Sequence, residues 1–194
     1  MNEQMSAPTP ATTLDSAALF RQHAGFVARF LTRLGVSPGD LDDVVQEVFL
    51  VVHARGGYVA GPAKPTSYLG AIAARAASSY RRRRTTRDAR DAGAILDDVR
   101  HDGSDPAERA LENERAEGLR RALASLDPVW CATLLLVDHE GETCASVAAS
   151  MSVPIGTVYW RLHKARKELR RLLAEASYEV ASTPPPSLRG EVRR

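Results

Sequence analysis

The sequence predicts an all-α protein: two small helical domains joined by a flexible acidic linker, the C-terminal one a helix-turn-helix. Three observations carry this. Apolar residues recur at spacings of three and four in blocks separated by Gly and Pro, and no stretch alternates as a strand would. Apolar residues make up 44% of the chain but aromatics only 6%, so the core is built mainly from Ala, Leu and Val, which points to helices. Charge is nearly balanced overall, +2 from 26 basic and 24 acidic residues, yet changes sign sharply near position 90. The expected boundaries are a disordered N-terminus at 1–13, a helical domain at 14–90, the linker at 91–104, the second domain at 105–175 and a disordered tail at 176–194.

Asp15 or Ser16 can cap a first helix carrying Leu19, Phe20, Phe26, Val27, Phe30, Leu31 and Leu34, which Gly35 and Pro38 stop. Asp40 opens the next, with Leu41, Val44, Val45, Val48, Phe49 and Val52 on its apolar side and Gly56-Gly57 at its end. After the loop "YVAGPAKP", Thr66 or Ser67 caps a helix through "SYLGAIAARAASSYRRRR".

From Asp91 to Glu117, nine acidic side chains face three arginines, a net of −6. The segment "DAGAILDDVRHDGSD" has few large apolar side chains and no helical period, which marks a flexible spacer. Order resumes with Asp105 as cap, Pro106 at the first helical position and Glu108 completing a capping box. Asp127-Pro128 repeats that start, and Thr143 opens the short helix "CASVAAS". "MSVP" is a turn in which Ser152 stands where positive φ favours Gly. The Pro-rich "STPPPSLRGEVRR" cannot continue a helix.

The last helix carries Val158, Leu162, Ala165, Leu169 and Leu172 as one apolar stripe. Tyr159, Trp160, Arg161, His163, Lys164, Arg166, Lys167, Arg170 and Arg171 lie off it. A short helix, a tight turn and a second helix with a basic face form a DNA-reading arrangement. In it Thr157, Tyr159, Trp160 and His163 stand near the end that enters the major groove, while Arg161, Lys164 and Arg166 can neutralise phosphates. A solvated basic helix whose aromatics pack on a neighbour is the competing reading.

Cys131 and Cys144 have no CxxC spacing and no His cluster, so neither a metal site nor a cofactor is expected. No carboxylate pair or Gly-rich phosphate loop argues for catalysis. Residues 1–13 lack the apolar core of a signal peptide, and no run approaches the ~18 apolar residues of a membrane span. A cytoplasmic, reduced protein is expected.

"DLDDVVQEVFLVVH", "SYLGAIAARAASSYRRRR" and "LASLDPVWCATLLLVDHEGETCASVAASMSVPIGTVYWRLHKARKELR", in that order, resemble the extracytoplasmic-function (ECF) sigma factors of bacterial RNA polymerase. The resemblance implies a subunit that binds core polymerase and directs promoter recognition, DNA melting and initiation. It implies docking on the β′ clamp helices and β flap, with Asp42, Asp43, Gln46 and Glu47 facing the clamp helices. It implies capture of the minus-ten element by the loop and helix carrying Lys64, Thr66, Tyr68, Arg75, Arg81 and Arg82. Tyr68 replaces the family's usual Trp, and Ala74-Arg75 its common Arg-Asn pair; core packing is an alternative role for Tyr68. The resemblance further implies minus-thirty-five contacts from Thr157, Tyr159, Trp160, Arg161, His163, Lys164 and Arg166, and an anti-sigma factor as a partner. The linker's charge suits a basic RNA-exit channel. Two other functions fit the residues: a conventional helix-turn-helix regulator, and a sigma-like protein acting mainly by binding an anti-sigma factor.

Overall fold

The computed structural model describes residues 13–88 and 106–182, with side chains over 13–86 and 114–175. Helix α1 (Ser16–Arg33) is capped by Asp15, whose carboxylate accepts the Ala18 N–H at 2.6 Å. Its inward residues Leu19, Val27, Phe30 and Leu31 are fully buried. Phe20 departs from the expected apolar face: it is 47% exposed and meets Phe49 edge-on at 4.9 Å. Gly35 takes φ +85°, which lets the Val36 N–H reach back to the Leu31 carbonyl and close the helix end.

A single 3₁₀ turn, Pro38–Asp40, leads into α2 (Leu41–Ala54). Asp40 stands at the cap position but caps nothing. Its carboxylate accepts from the Ser37 hydroxyl at 2.7 Å and the Tyr80 hydroxyl at 2.9 Å, tying the start of α2 to the next helix. Gly57, at φ +93°, ends the turn after α2 and lies against the Leu14 carbonyl, where any Cβ would collide. This close approach is made by strands β1 (Thr13–Leu14) and β2 (Tyr58–Val59), which pair antiparallel with Leu14 opposite Tyr58. The sequence reading has no strand and places Thr13 in the N-terminal segment. A two-residue ladder is too short to leave a period to detect.

Helix α3 (Pro65–Asp88) corrects the expected start. Pro65 is the first helical residue, so Thr66 and Ser67 lie inside the first turn and do not precede it as caps, and the Lys64 carbonyl accepts the Tyr68 N–H at 3.0 Å. Proline's fixed φ and missing N–H suit that position, leaving the two hydroxyls free for other partners. Leu69, Ala71, Ile72, Ala73, Ala74, Ala77 and Tyr80 are buried all round α3. A helix buried on every side needs neighbours on every side: α1 and α2 cover one flank, α5 and α6 the other.

Helix α4 (Pro106–Ser125) begins at the expected proline; Asp105, the expected cap, and the linker 91–104 lie outside the described residues. Helix α5 (Pro128–Leu134) is capped by Asp127, which accepts from Val129 and Trp130, and widens into a π turn over Leu135–His139. Thr143 caps α6 (Cys144–Met151) by accepting the Ser146 N–H at 3.1 Å. Ser152 then adopts the left-handed conformation the sequence calls for, φ 55°, and α7 (Ile155–Ser182) follows. The α7 backbone stays helical past the expected boundary at 175, because no Gly or Pro intervenes before Pro184.

Buried residues from Leu19 to Ala165 form one continuous apolar cluster across both halves. The halves meet closely at Gly70 of α3, where an added Cβ would stand 2.8 Å from Leu136.

Candidate nucleic-acid interface

Three surfaces hold the residues singled out from the sequence. The first is the outer face of α2. Val44, Val45, Val48, Phe49 and Val52 are buried, which rotates Asp42, Asp43 and Gln46 outward. Asp42 and Asp43 lie in the first turn, where the helix dipole favours negative charge. Glu47 is only half exposed, and its carboxylate is bound by Arg83 of α3 at 2.9 Å. Leu50, one turn on from Gln46, is 66% exposed and belongs to this face. Sequence reasoning missed it; its position off the Val44–Val48–Val52 line was the available signal.

The second surface is α3 with its preceding loop. Here the side chains singled out do not form an open groove. Thr66 donates to the Glu142 carboxylate at 2.8 Å, and Lys64 stands 3.6 Å from the same group. Ser67 and Ser146, both buried, share a hydrogen bond at 3.0 Å. Arg75 donates to the Met151 carbonyl at 3.1 Å. Arg81 donates to the Leu126 carbonyl at 2.5 Å and to the Ala124 carbonyl, closing the C-terminus of α4. Burial lowers the Arg81 proton affinity, and the nearby Asp127 opposes the effect. Tyr68 packs on Tyr58 at 5.6 Å and donates its hydroxyl to the Gly57 carbonyl, which is the core role rather than an outward one. Arg82 is exposed and turned toward Ser79.

Glu142 is 4% exposed, yet both oxygens are hydrogen-bonded, one by Thr66 and the other by Ser146. Among the described residues no buried side-chain polar atom lacks a partner.

The third surface is the start of α7. Val158, Leu162 and Ala165 are buried against α5 and α6. That register leaves Tyr159 56% and Trp160 51% exposed, with His163 beside them. Trp160 is also held from beneath: Trp130 of α5 meets it edge-to-face at 5.6 Å, and the Lys164 ammonium lies 5.8 Å from its ring centre. The two readings of Trp160, packed and outward, are thus both realised in one side chain. Arg161 turns back to the Met151 sulfur at 3.4 Å, and Thr157 is half-buried in the first turn. Arg166 makes a two-pronged pair with Asp138 at 2.6 and 2.9 Å, and that hydrogen bonding raises its proton affinity. Its charge is already partly answered.

Cys131 is buried, and burial pushes its thiol up to about 12 despite the nearby Arg81. Among the described residues no group of His, Cys, Asp or Glu is placed to hold a metal ion, and no helix is long and apolar enough to cross a membrane.

Residues 19–87 match the Sigma-70 region 2 family. The chain is 31% identical to the ECF RNA polymerase sigma factor SigE of Mycolicibacterium smegmatis, over 85% of this chain and 64% of that one. It is 31% identical to SigM of Mycobacterium tuberculosis, over 80% of this chain and 75% of that one. It is 32% identical to the RNA polymerase sigma factor CarQ of Myxococcus xanthus, over 84% and 91%. Its fold is similar to that of the sigma factor RpoE of Bartonella quintana, solved with the anti-sigma factor NepR, with TM-score 0.55, 19% identity and coverage of 80% and 94%. The identity to SigM and CarQ over most of their length, together with the region 2 match, defines a sigma-type transcription initiation factor. The chain belongs to the ECF RNA polymerase sigma factor family.

Proposed function

We propose that this protein binds core RNA polymerase and directs promoter recognition, DNA melting and initiation as a non-catalytic subunit in the cytoplasm. The observation that carries the reading is the presence of two exposed surfaces of different chemistry on one chain: an acidic α2 face and an aromatic–basic start of α7. The α2 face of Asp42, Asp43, Gln46 and Leu50 offers carboxylates to a basic coiled coil such as the β′ clamp helices, with Glu47 contributing if Arg83 releases it. The α6–turn–α7 unit reads duplex DNA at minus thirty-five. Tyr159 and Trp160 offer apolar contact to thymine methyls or sugars, and His163 and Lys164 contact edges and backbone. Lys64, Thr66, Arg75, Arg81 and Arg82 form the minus-ten face, to which Tyr68 contributes only as support.

An anti-sigma factor is the further proposed partner, since a chain of two helical halves joined through 91–104 can be held by a third body covering both. A conventional duplex-binding regulator would have no use for the α2 face. In vitro transcription with purified core enzyme and a promoter library tests the reading. Specific initiation is expected, and duplex binding without any core-dependent transcript would overturn it.

A further inference from the structure

We infer that the start of α7 is a reader of 5-methylpyrimidines, taking thymine by its methyl group and 5-methylcytosine in its place, so that this chain's minus-thirty-five contact responds to cytosine methylation of the DNA. The inference rests on the minus-thirty-five reading given above and names what that face recognises. Each base shows a different edge in the major groove, and each edge calls for a different side chain. Guanine calls for a free guanidinium or ammonium. Arg161 is turned inward to the Met151 sulfur at 3.4 Å, Arg166 is held by both oxygens of Asp138, and the Lys164 ammonium lies over the Trp160 ring. Adenine calls for Asn or Gln, and α7 has neither. Unmethylated cytosine calls for a carboxylate, and the first in α7, Glu168, is bound by Arg171.

What the face does present is apolar. Ile155, Tyr159 and Trp160 are each about half exposed. Ile155 and Tyr159 stand one turn apart along one flank. Helical side chains lean toward the N-terminus, so the Trp160 indole leans over Gly156, where even an added Cβ would touch nothing. The ring is open on that side, while Trp130 fixes it from α5, edge-to-face at 5.6 Å. Trp160, His163, Lys167 and Arg170 recur at spacings of three and four on the outward side, and the last two are exposed cations placed for phosphates farther along the helix. Cations at one end and bare aromatic surface at the other suit a duplex. Phosphates hold the helix in the groove, and the aromatic end meets the base edges. Among those edges the apolar group is the 5-methyl, which stands at the same place on thymine and on 5-methylcytosine.

The test uses the full chain with purified core enzyme and promoter duplexes selected from a library. In the minus-thirty-five segment each thymine is replaced in turn by uracil, which removes the methyl and leaves the pairing edge, and each cytosine by 5-methylcytosine, which adds it. Uracil should weaken binding about fourfold at one or two positions, the worth of burying one methyl-sized group, and be silent elsewhere. At those positions 5-methylcytosine should bind about fourfold better than cytosine. Trp160→Ala and Tyr159→Ala should each bind thymine and uracil alike at the position the missing ring serves. Trp160→Phe, which keeps a ring, should retain part of the difference and so separates loss of the contact from loss of the fold. Equal binding of thymine and uracil duplexes by a parent protein that still prefers particular bases there overturns the methyl reading, gives the aromatics to another partner such as a protein surface, and leaves the minus-thirty-five reading standing. A methyl effect that survives both alanine changes places the contact elsewhere and overturns the inference. A parent with no base preference in that segment overturns the minus-thirty-five reading itself, and this inference with it.

Discussion

At the scale of single residues, Trp160 shows how packing and recognition share one side chain. Its indole is half exposed, but Trp130 sets its orientation from below. Trp160→Ala should relax preference at one or two base positions by about 1–3 kcal/mol each. Trp130→Ala should relax the same positions less, since it frees the indole without removing it. Promoter-library binding would show both, and a Trp130→Ala change at unrelated positions would refute the coupling. Lys164 lies near the same ring, so Lys164→Ala should lower the salt slope by about one and also blur the Trp160 positions. Asp138→Ala should free Arg166 and steepen the salt dependence by up to about one, at little cost to stability because exposed pairs are worth about 0–1 kcal/mol. Cys131 adds a pH signature. Its folded thiol is pushed up to about 12 from 9.0, so its stabilising contribution is complete below 9 and is lost as pH climbs toward 12. Thermal melts across that window should fall more steeply for the parent than for Cys131→Ala. Alkylation at pH 8 should reach Cys144 and spare Cys131.

At the scale of elements, α2 was legible almost completely, because its Val-rich stripe leaves no doubt about which carboxylates face out. The pairing of Glu47 with Arg83 was not, since the two are far apart in sequence. Asp43→Arg and Leu50→Asp are therefore cleaner probes of core docking than changes at Glu47. Each should weaken core binding by about tenfold or more with helical content unchanged; unaltered affinity in a titration against core enzyme would remove α2 from the docking face. The turn before α7 was legible too: position 152 needs a left-handed residue, and Ser supplies it at a cost. Ser152→Gly should stabilise the fold by about 0.5–1 kcal/mol in urea denaturation, and Ser152→Val should destabilise it. The start of α3 was misplaced by two or three residues because Thr and Ser look like caps wherever they precede a helix, and nothing local shows that their hydroxyls serve the other half of the chain.

At the scale of the whole molecule, the two halves share one core, so heating the parent should give a single cooperative transition. Gly70→Val should wedge Leu136 away and split that transition in two, visible by calorimetry. A single transition at a slightly lower temperature would mean that the core repacks around the added methyls.

The order of the helices, the Asp127 cap, the Gly35 stop, the left-handed Ser152 and the outward faces of α2 and α7 follow from residue order alone, and the first cap is narrowed to Asp15 or Ser16. Each depends on neighbours within one or two turns, and local spacing encodes those neighbours directly. What encloses α3, the burial of Glu142, and the engagement of Thr66, Arg75 and Arg81 by the other half depend on contacts between residues more than 40 positions apart. No period records such a contact, because many partners could satisfy each hydroxyl or guanidinium equally well; only the packing of α5 and α6 on α3 selects one.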